Sequence, residues 1–133
     1  MRLLPLVAIA AILAGCGAIS EDEYIARVTK ASETVQQAME GVSPDALRLE
    51  EGSRAIAHAA DDLDGAHPPG KDKRLNEEVV GGFRKLADSL QQAAQAARRG
   101  EFAKRDDILG HLDKSPGMRQ LNAAIAEIDR LAG

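Results

Sequence analysis

The sequence predicts an all-α fold: an antiparallel up-down four-helix bundle whose last arm is broken near Ser115-Pro116, preceded by a separate apolar helix at the amino terminus. Aromatic residues make up only 2% of the 133-residue chain. Alanine and leucine supply much of the apolar content, whereas strands draw on β-branched and aromatic residues. Apolar residues recur at spacings of three and four, which is one face of a helix. Glycine and proline clusters separate the arms, and a chain of this length suffices for one domain.

The first 15 residues have the features of a secretory signal peptide with a helical core. Arg2 supplies positive charge, and an uninterrupted apolar run follows from Leu3 to Ala14. As a helix this run spans about 18 Å, which is short of the roughly 30 Å hydrocarbon core of a bilayer. Pro5 also disfavours a stable buried helix. The segment is therefore typical of a signal-peptide helix rather than of a membrane span.

The single cysteine follows directly, in the stretch Leu13-Ala14-Gly15-Cys16. This stretch resembles the lipobox of bacterial lipoproteins, in which a small-residue site is cut immediately before a cysteine. The resemblance implies that cleavage falls between Gly15 and Cys16, and that the Cys16 sulfur carries a diacylglyceryl group. Two acyl chains, such as palmitate, anchor a protein stably where one does not. The alternative is a buried free cysteine in an amino-terminal hairpin. A disulfide framework, a dithiol redox site and a zinc ribbon each need a second cysteine.

The first arm is predicted from Ser20 to Gly41. Ser20 and Glu23 form a capping box, and acidic residues occupy the first turn, where the helix dipole favours negative charge. Its predicted inward positions are Tyr24, Val28, Ala31, Val35, Ala38 and Val42.

The second arm is predicted to begin with Ser43 as its cap and Pro44 at the first helical position. It ends at the glycine- and proline-rich stretch that starts at Gly65. Its predicted inward positions are Leu49, Ser53, Ile56, Ala60 and Leu63.

The third arm is the longest, from about Asp72 to Arg99. Its predicted seam is Leu75, Val79, Phe83, Leu86, Leu90, Ala93 and Ala97. Gly81-Gly82 weakens the helix locally, by about 1 kcal/mol for each glycine relative to alanine. Glycines on a packed face also let a neighbouring helix approach closely, which is the use we expect for this pair.

The fourth arm is predicted as two pieces, because Ser115-Pro116 caps a new helix. The inward positions expected before the break are Phe102, Arg105, Ile108 or Leu109, and Leu112. Those expected after it are Met118, Leu121, Ile125, Ile128 and Leu131.

Short connections predict antiparallel neighbours, and the charge distribution favours docking of the two halves. Residues 17–64 hold 4 Lys/Arg against 11 Asp/Glu, net −7, whereas residues 65–133 hold 12 against 10, net +2. The whole-chain charge of −4 gives no reason to expect nucleic acid as a partner.

Candidate ligands for a divalent metal ion are few. His58 lies three and four residues before Asp61 and Asp62 in a helical stretch, and His67 follows in the loop. Mixed histidine and carboxylate ligands bind such ions, but a site needs about three or four convergent groups. The alternative is an acidic helix end with solvated histidines. A haem ligand pair of His111 with Met39 or Met118 competes with a simple core role for both methionines.

Searches for catalytic motifs find no nucleophile elbow, Ser-x-x-Lys pair, His-Glu-x-x-His motif or phosphate-binding glycine loop. The sequence therefore predicts neither an enzyme nor a cofactor. A basic cluster, Arg98, Arg99, Lys104 and Arg105, has two interpretations: contact with anionic lipid or an acidic partner, or a solvated turn.

The mature part resembles small uncharacterised lipoproteins of high-GC actinobacteria. The resemblance rests on the Pro-Pro turn and helix of residues 67–90, on Arg98-Arg99-Gly100-Glu101-Phe102, and on the final stretch 115–133. It implies no activity. Members often carry a histidine shortly after the Pro-Pro turn, where this chain has Asn76, so no ligand role transfers to that position.

Three segments are therefore expected: a signal peptide (1–15), a lipid anchor with a short linker (16–19) and a helical bundle domain (20–133). We expect an extracytoplasmic protein, held on the cell membrane through diacylglyceryl-modified Cys16, that serves the envelope as a structural or protein-interaction module. The alternative is a small-ligand or metal-binding envelope protein.

Overall fold

The structure, a computed structural model, describes residues 18–41 and 43–132, and within them it is all-helical with no strand. The all-α prediction is confirmed. The predicted signal peptide, Gly15, Cys16 and the predicted inward position Val42 lie outside the described residues. The five α-helices are α1 (Glu21–Glu40), α2 (Ala46–Asp64), α3 (Lys73–Arg98), α4 (Phe102–Gly110) and α5 (Pro116–Ala132), with short 3₁₀ turns at Gly70–Asp72 and Leu112–Lys114.

Capping side chains set several of the helix starts. Ser20 Oγ accepts a hydrogen bond from the Glu23 N–H at 3.1 Å, as the capping box predicts. The Ser115 hydroxyl does the same for the Met118 N–H at 3.2 Å, with Pro116 at the first helical position of α5. These bonds satisfy backbone donors that have no partner within the helix.

The predicted start of α2 was wrong by two residues. Asp45, not Ser43, is the cap, and its carboxylate accepts from the Leu47 N–H at 3.3 Å. The Ser43 hydroxyl instead accepts from the Asp45 N–H at 3.2 Å, which closes a local turn before the helix. Both are good capping residues, and the turn makes the later one the cap.

Helix α3 is the centre of the molecule, since it packs against α2, α4 and α5. The first six residues of its predicted seam are buried, and Phe83, Leu86 and Leu90 are completely covered. Burial extends beyond the seam to Val80, Ala87, Ala94 and Ala96, because neighbours contact α3 on more than one side.

Two pairs of helices run in opposite directions, as specific contacts show. Along α2 and α3, Glu50 contacts Arg98 while Asp61 contacts Arg84. Along α3 and α5, Gly82 lies against Gly117, while Gln120 donates a hydrogen bond to the Glu78 carbonyl at 2.9 Å.

Two glycines make the crossing of α3 and α5 close, which confirms the role expected for the glycine pair at Gly82. A Cβ atom on Gly82 would lie 3.1 Å from the Gly117 carbonyl oxygen and from Leu121 Cβ. One on Gly117 would lie 2.8 Å from Lys85 Cβ. Gly81 faces only the flexible end of Gln120. Any side chain at Gly82 or Gly117 would therefore push the helices apart.

Two predicted inward positions are exposed. Phe102 is 54% exposed and its ring lies 4.9 Å from the Arg105 guanidinium, and Leu131 is 41% exposed in the last turn of α5. Both lie near a helix end, where fewer neighbouring side chains are available to cover them. None of the residues of α4 is buried.

Candidate functional site

The amino-terminal linker enters the domain beside the loop that follows α2. Ala18 is exposed, and the half-buried Ile19 donates its N–H to the His67 carbonyl at 3.0 Å. His67 has a backbone φ of 50°, in the left-handed region. Ile19 thus meets the domain at a fixed point, one residue before the cap Ser20.

The four candidate metal ligands are not brought together. Asp61 points toward α3, where the Arg84 guanidinium donates to it at 3.3 Å, and His67 lies in the loop. His58 and Asp62 line a groove on another side of α2. Among the described residues, no group of three or more histidine, cysteine or acidic side chains is placed to hold a metal ion. Adjacent positions such as 61 and 62 differ by about 100° around a helix, so their side chains point in different directions although they are neighbours in the sequence.

A groove of about 380 Å³ runs between α1 and α2. Arg27 and Lys30 border it on α1, and His58 and Asp62 border it on α2. Its floor and ends are formed by small or apolar side chains: Ala31, Thr34, Ala55, Ala59 and Leu63. Arg27 is also bound to Glu23, with 3.1 Å between Nη2 and Oε1. A groove of this size, with an apolar floor and a charged border, suits a peptide segment or a small polar ligand.

A second cleft, of about 430 Å³, lies where α1 ends and the last arm breaks. Met39, Leu109, Leu112 and Met118 are among its lining residues. His111 does not line it; its exposed ring nitrogen Nδ1 lies 2.8 Å from the Asp107 carbonyl oxygen. The structure therefore does not pair His111 with either methionine.

Tyr24 and Asn76 join three helices through buried hydrogen bonds. The Tyr24 hydroxyl donates to Asn76 Oδ1 at 3.0 Å, and Asn76 Nδ2 donates to the Leu63 carbonyl at 2.9 Å. Burial, followed by the nearby charge of Asp72, raises the pKa of Tyr24 far above its ordinary value, so the hydroxyl remains a donor. Asn76 thus has a structural role in this chain. No local sequence pattern relates positions 52 residues apart, so this cluster could not be predicted from the sequence.

Three of the four cations of the basic cluster have acidic neighbours. Arg98 forms two hydrogen bonds with Glu50, at 2.5 and 2.8 Å, which lower the pKa of the Glu50 carboxyl and raise that of Arg98. Lys104 lies 3.9 Å from Glu101, and Arg105 donates to Asp106 at 2.9 Å. These neighbours reduce the net positive charge of the cluster.

Comparisons with known proteins name no relative: no family model matches the chain, and neither a curated protein nor a solved structure matches it. Within residues 18–41 and 43–132, no helix combines the length and the apolar character that crossing a membrane requires.

Proposed function

We propose that this chain is a lipid-anchored extracytoplasmic lipoprotein whose helical domain is a structural or protein-interaction module of the cell envelope, without enzymatic activity. The observation that carries the proposal is the order of the first 20 residues: the apolar run Leu3–Ala14, the sequence Leu13-Ala14-Gly15-Cys16, and a capped helix start at Ser20. Signal, cleavage site and lipid attachment follow one another directly, and only a short linker separates them from the folded domain.

In this proposal the chain is divided into the signal peptide 1–15, the anchor and linker 16–19 and an up-down four-helix bundle that begins at residue 20. The opposite directions of α2 and α3, and of α3 and α5, support the bundle topology, in which α4 and α5 together form the last arm. The hydrogen bond between Ile19 and His67 supports a domain held close to the membrane surface.

Metabolic labelling tests the anchor. Cells expressing the protein are fed an alkyne analogue of palmitate, and the purified protein is examined by mass spectrometry. We expect a diacylglyceryl group on Cys16 and loss of residues 1–15. Cys16→Ser is the matched control, because it changes only the sulfur and should abolish labelling and leave the protein uncleaved. An unmodified Cys16 with the leader still attached would refute the proposal.

The groove between α1 and α2 is the face that we expect to contact a protein partner. A photo-crosslinking amino acid at Thr34, inside the groove, should capture a specific envelope protein in living cells. The same amino acid at Gln92, on the exposed surface of α3, is the control. Equal capture of abundant neighbours from both positions would count against an interaction module.

Small-ligand or metal binding is the second candidate, because His58 and Asp62 border the same groove. A thermal-shift series with divalent metals tests it. A rise in melting temperature that His58→Ala removes, and that His111→Ala leaves intact, would favour this second function.

A further inference from the structure

The half-buried carboxylate of Glu21, at the start of α1, lies beside the turn that precedes α3, and that turn holds the buried carboxylate of Asp72. Asp72 is only 3% exposed, and its Oδ2 is buried without accepting a hydrogen bond. Glu21, in the first turn of α1, is half-buried with its Oε2 atom covered, and its hydrogen bond with Asp72 is one of the causes that raise the pKa of Asp72. The Lys71 ammonium contacts that Oε2 as an ion pair. Buried carboxylate oxygens normally accept hydrogen bonds, so Asp72 Oδ2 lacks a donor.

Helix capping does not explain the position of Asp72. It is the cap residue of α3, where an aspartate usually accepts a hydrogen bond from the first turn of the helix. Here its side chain makes no capping bond. The carboxyl group lies against α1 instead, at the cost of the capping interaction.

The charges around Asp72 leave a surplus of negative charge. The titratable groups that face it are Glu21 and Tyr24 from α1 and Lys71 from its own turn. With both carboxylates ionised, Lys71 balances only one of them. Tyr24 stays neutral because burial and the charge of Asp72 raise the pKa of its phenol. A single proton would both balance the charge and supply the missing donor.

We propose that Asp72 binds a proton that it donates to the Glu21 carboxylate, and that this contact is a pH-dependent latch between the start of α1 and the turn before α3. When the proton is present, it resides on Asp72. When it leaves, the buried Asp72 carboxylate is charged beside that of Glu21, and the first turn of α1 separates more easily from the turn at 70–72. The latch lies at the end of the domain where Ile19 meets His67, so it controls how firmly the linker is held. It operates with or without lipid on Cys16.

The direction of the pH dependence follows from the two states. Desolvation first, and then the charge of Glu21, raises the pKa of Asp72 above its ordinary value. A carboxyl group with a raised pKa binds its proton more tightly in the folded state than in the unfolded one. The latch is therefore most stable at acidic pH, and it weakens as the pH rises through the folded-state pKa.

Hydrogen exchange on the full chain in detergent, between pH 4.5 and 7.5, tests the latch. Peptides covering residues 18–25 and 66–76 are followed after correction for the intrinsic pH dependence of exchange. We expect their protection to fall as the pH rises, by about tenfold for each unit by which the folded-state pKa exceeds the unfolded value. Carbon-13 NMR of the Asp72 carboxyl should show that it titrates above its ordinary range.

Three variants distinguish the latch from a general acid effect. Asp72→Asn removes the charge and supplies an N–H donor, so protection should stay high at both pH values. Glu21→Gln supplies a donor from the other side and should have the same effect. Asp22→Asn, which removes an exposed charge in the same turn of α1, should behave like the wild type.

Three results would overturn the proposal. One is the same pH profile in the wild type and in Asp72→Asn. Another is an Asp72 carboxyl that titrates at its ordinary pKa. The third is restoration of protection at pH 7.5 by magnesium or calcium in the wild type but not in Asp72→Asn, which would identify a cation site instead of a bound proton.

Discussion

Tyr24 illustrates how one polar atom holds this small core together. It is completely buried, and its hydroxyl reaches Asn76 on α3, which in turn donates to the carbonyl of Leu63 on α2. The ring contributes apolar area to the core while the hydroxyl satisfies a buried amide oxygen. Removing that hydroxyl leaves the acceptor buried without a partner.

We expect Tyr24→Phe to lower the free energy of unfolding by about 1–3 kcal/mol, the cost of a buried unsatisfied polar group. Urea denaturation measures it. Thr29→Val is the control, since the Thr29 hydroxyl is exposed and bonds only the Ile25 carbonyl of its own helix. It should change stability much less.

A double-mutant cycle with Asn76→Ala separates the hydrogen bond from other effects. The two substitutions should be non-additive, because each removes the same contact. Strict additivity would show that the hydroxyl and the amide do not stabilise one another.

Helices α3 and α4 differ most in how many of their residues are buried. Twelve residues of α3 are buried, whereas none is buried in α4. Because local opening is easiest where few apolar contacts are lost, the two helices should differ in dynamics.

Hydrogen exchange followed by mass spectrometry should find the slowest amides in the middle of α3 and the fastest helical amides in α4. Helix α2, which packs along α3, should lie between them. Equal protection of α3 and α4 would mean that the domain opens only as one unit.

The crossing of α3 and α5 depends on Gly82 and Gly117. We expect Gly82→Ala to destabilise the fold by about 1–3 kcal/mol, the usual cost of overpacking, because the new methyl group meets backbone and Leu121. Thermal or urea unfolding measures the change.

Gly110→Ala is the matched control, since a Cβ at Gly110 has nothing within 4 Å. It lies in the last turn of α4, where alanine favours the helix by up to about 1 kcal/mol over glycine. Gly82→Ala should therefore lower the free energy of unfolding, and Gly110→Ala should raise it. If Gly82→Ala were as stable as the wild type, the helices would not need this close approach.

At the scale of the whole molecule, ion pairs connect its two halves. Among the described residues, each ion pair that links distant parts of the chain takes its acid from residues 17–64 and its base from residues 65–133. The pairs are Glu21 with Lys71, Asp61 and Asp64 with Arg84, and Glu50 with Arg98. This arrangement agrees with the charge imbalance that the sequence shows.

Reversing one of these pairs tests the arrangement. Glu50→Arg alone should lower the melting temperature, because it places two arginines together, and adding Arg98→Glu should restore most of the loss. High salt should reduce both effects, since screening shortens the reach of exposed charges to about 3 Å at 1 M. Arg99→Glu, at an exposed neighbouring position, is the control.

The low pKa of the Glu50 carboxyl gives this pair a pH dependence opposite to that of the latch. A carboxyl whose pKa is lowered in the folded state stabilises the fold above its unfolded pKa, and this stability is lost as the pH falls through the folded value.

Local patterns were enough to predict the helices, most of their buried faces and two of their caps. The three-and-four spacing of apolar residues and the capping hydrogen bonds connect residues only a few positions apart, so they can be read along the chain. The same holds for Gly65 and Pro116, which end and begin helices through their own backbone preferences. The exceptions, Ser43, Phe102 and Leu131, lie at or near helix ends. There a neighbouring turn determines which residue caps the helix, and the edge of the core determines which side chains are buried.

Only the tertiary structure decided which polar groups meet. About 50 residues separate Asp72 from Glu21, and Tyr24 from Asn76. Asp61 binds Arg84 and does not lie with the other candidate metal ligands. The physical reason is that burial and charge interactions depend on distance in space, and the packing of α1 against α2 and of α2 against α3 sets those distances. The sequence by itself determined the helices, and the folded arrangement determined the groove and the buried carboxylate of Asp72.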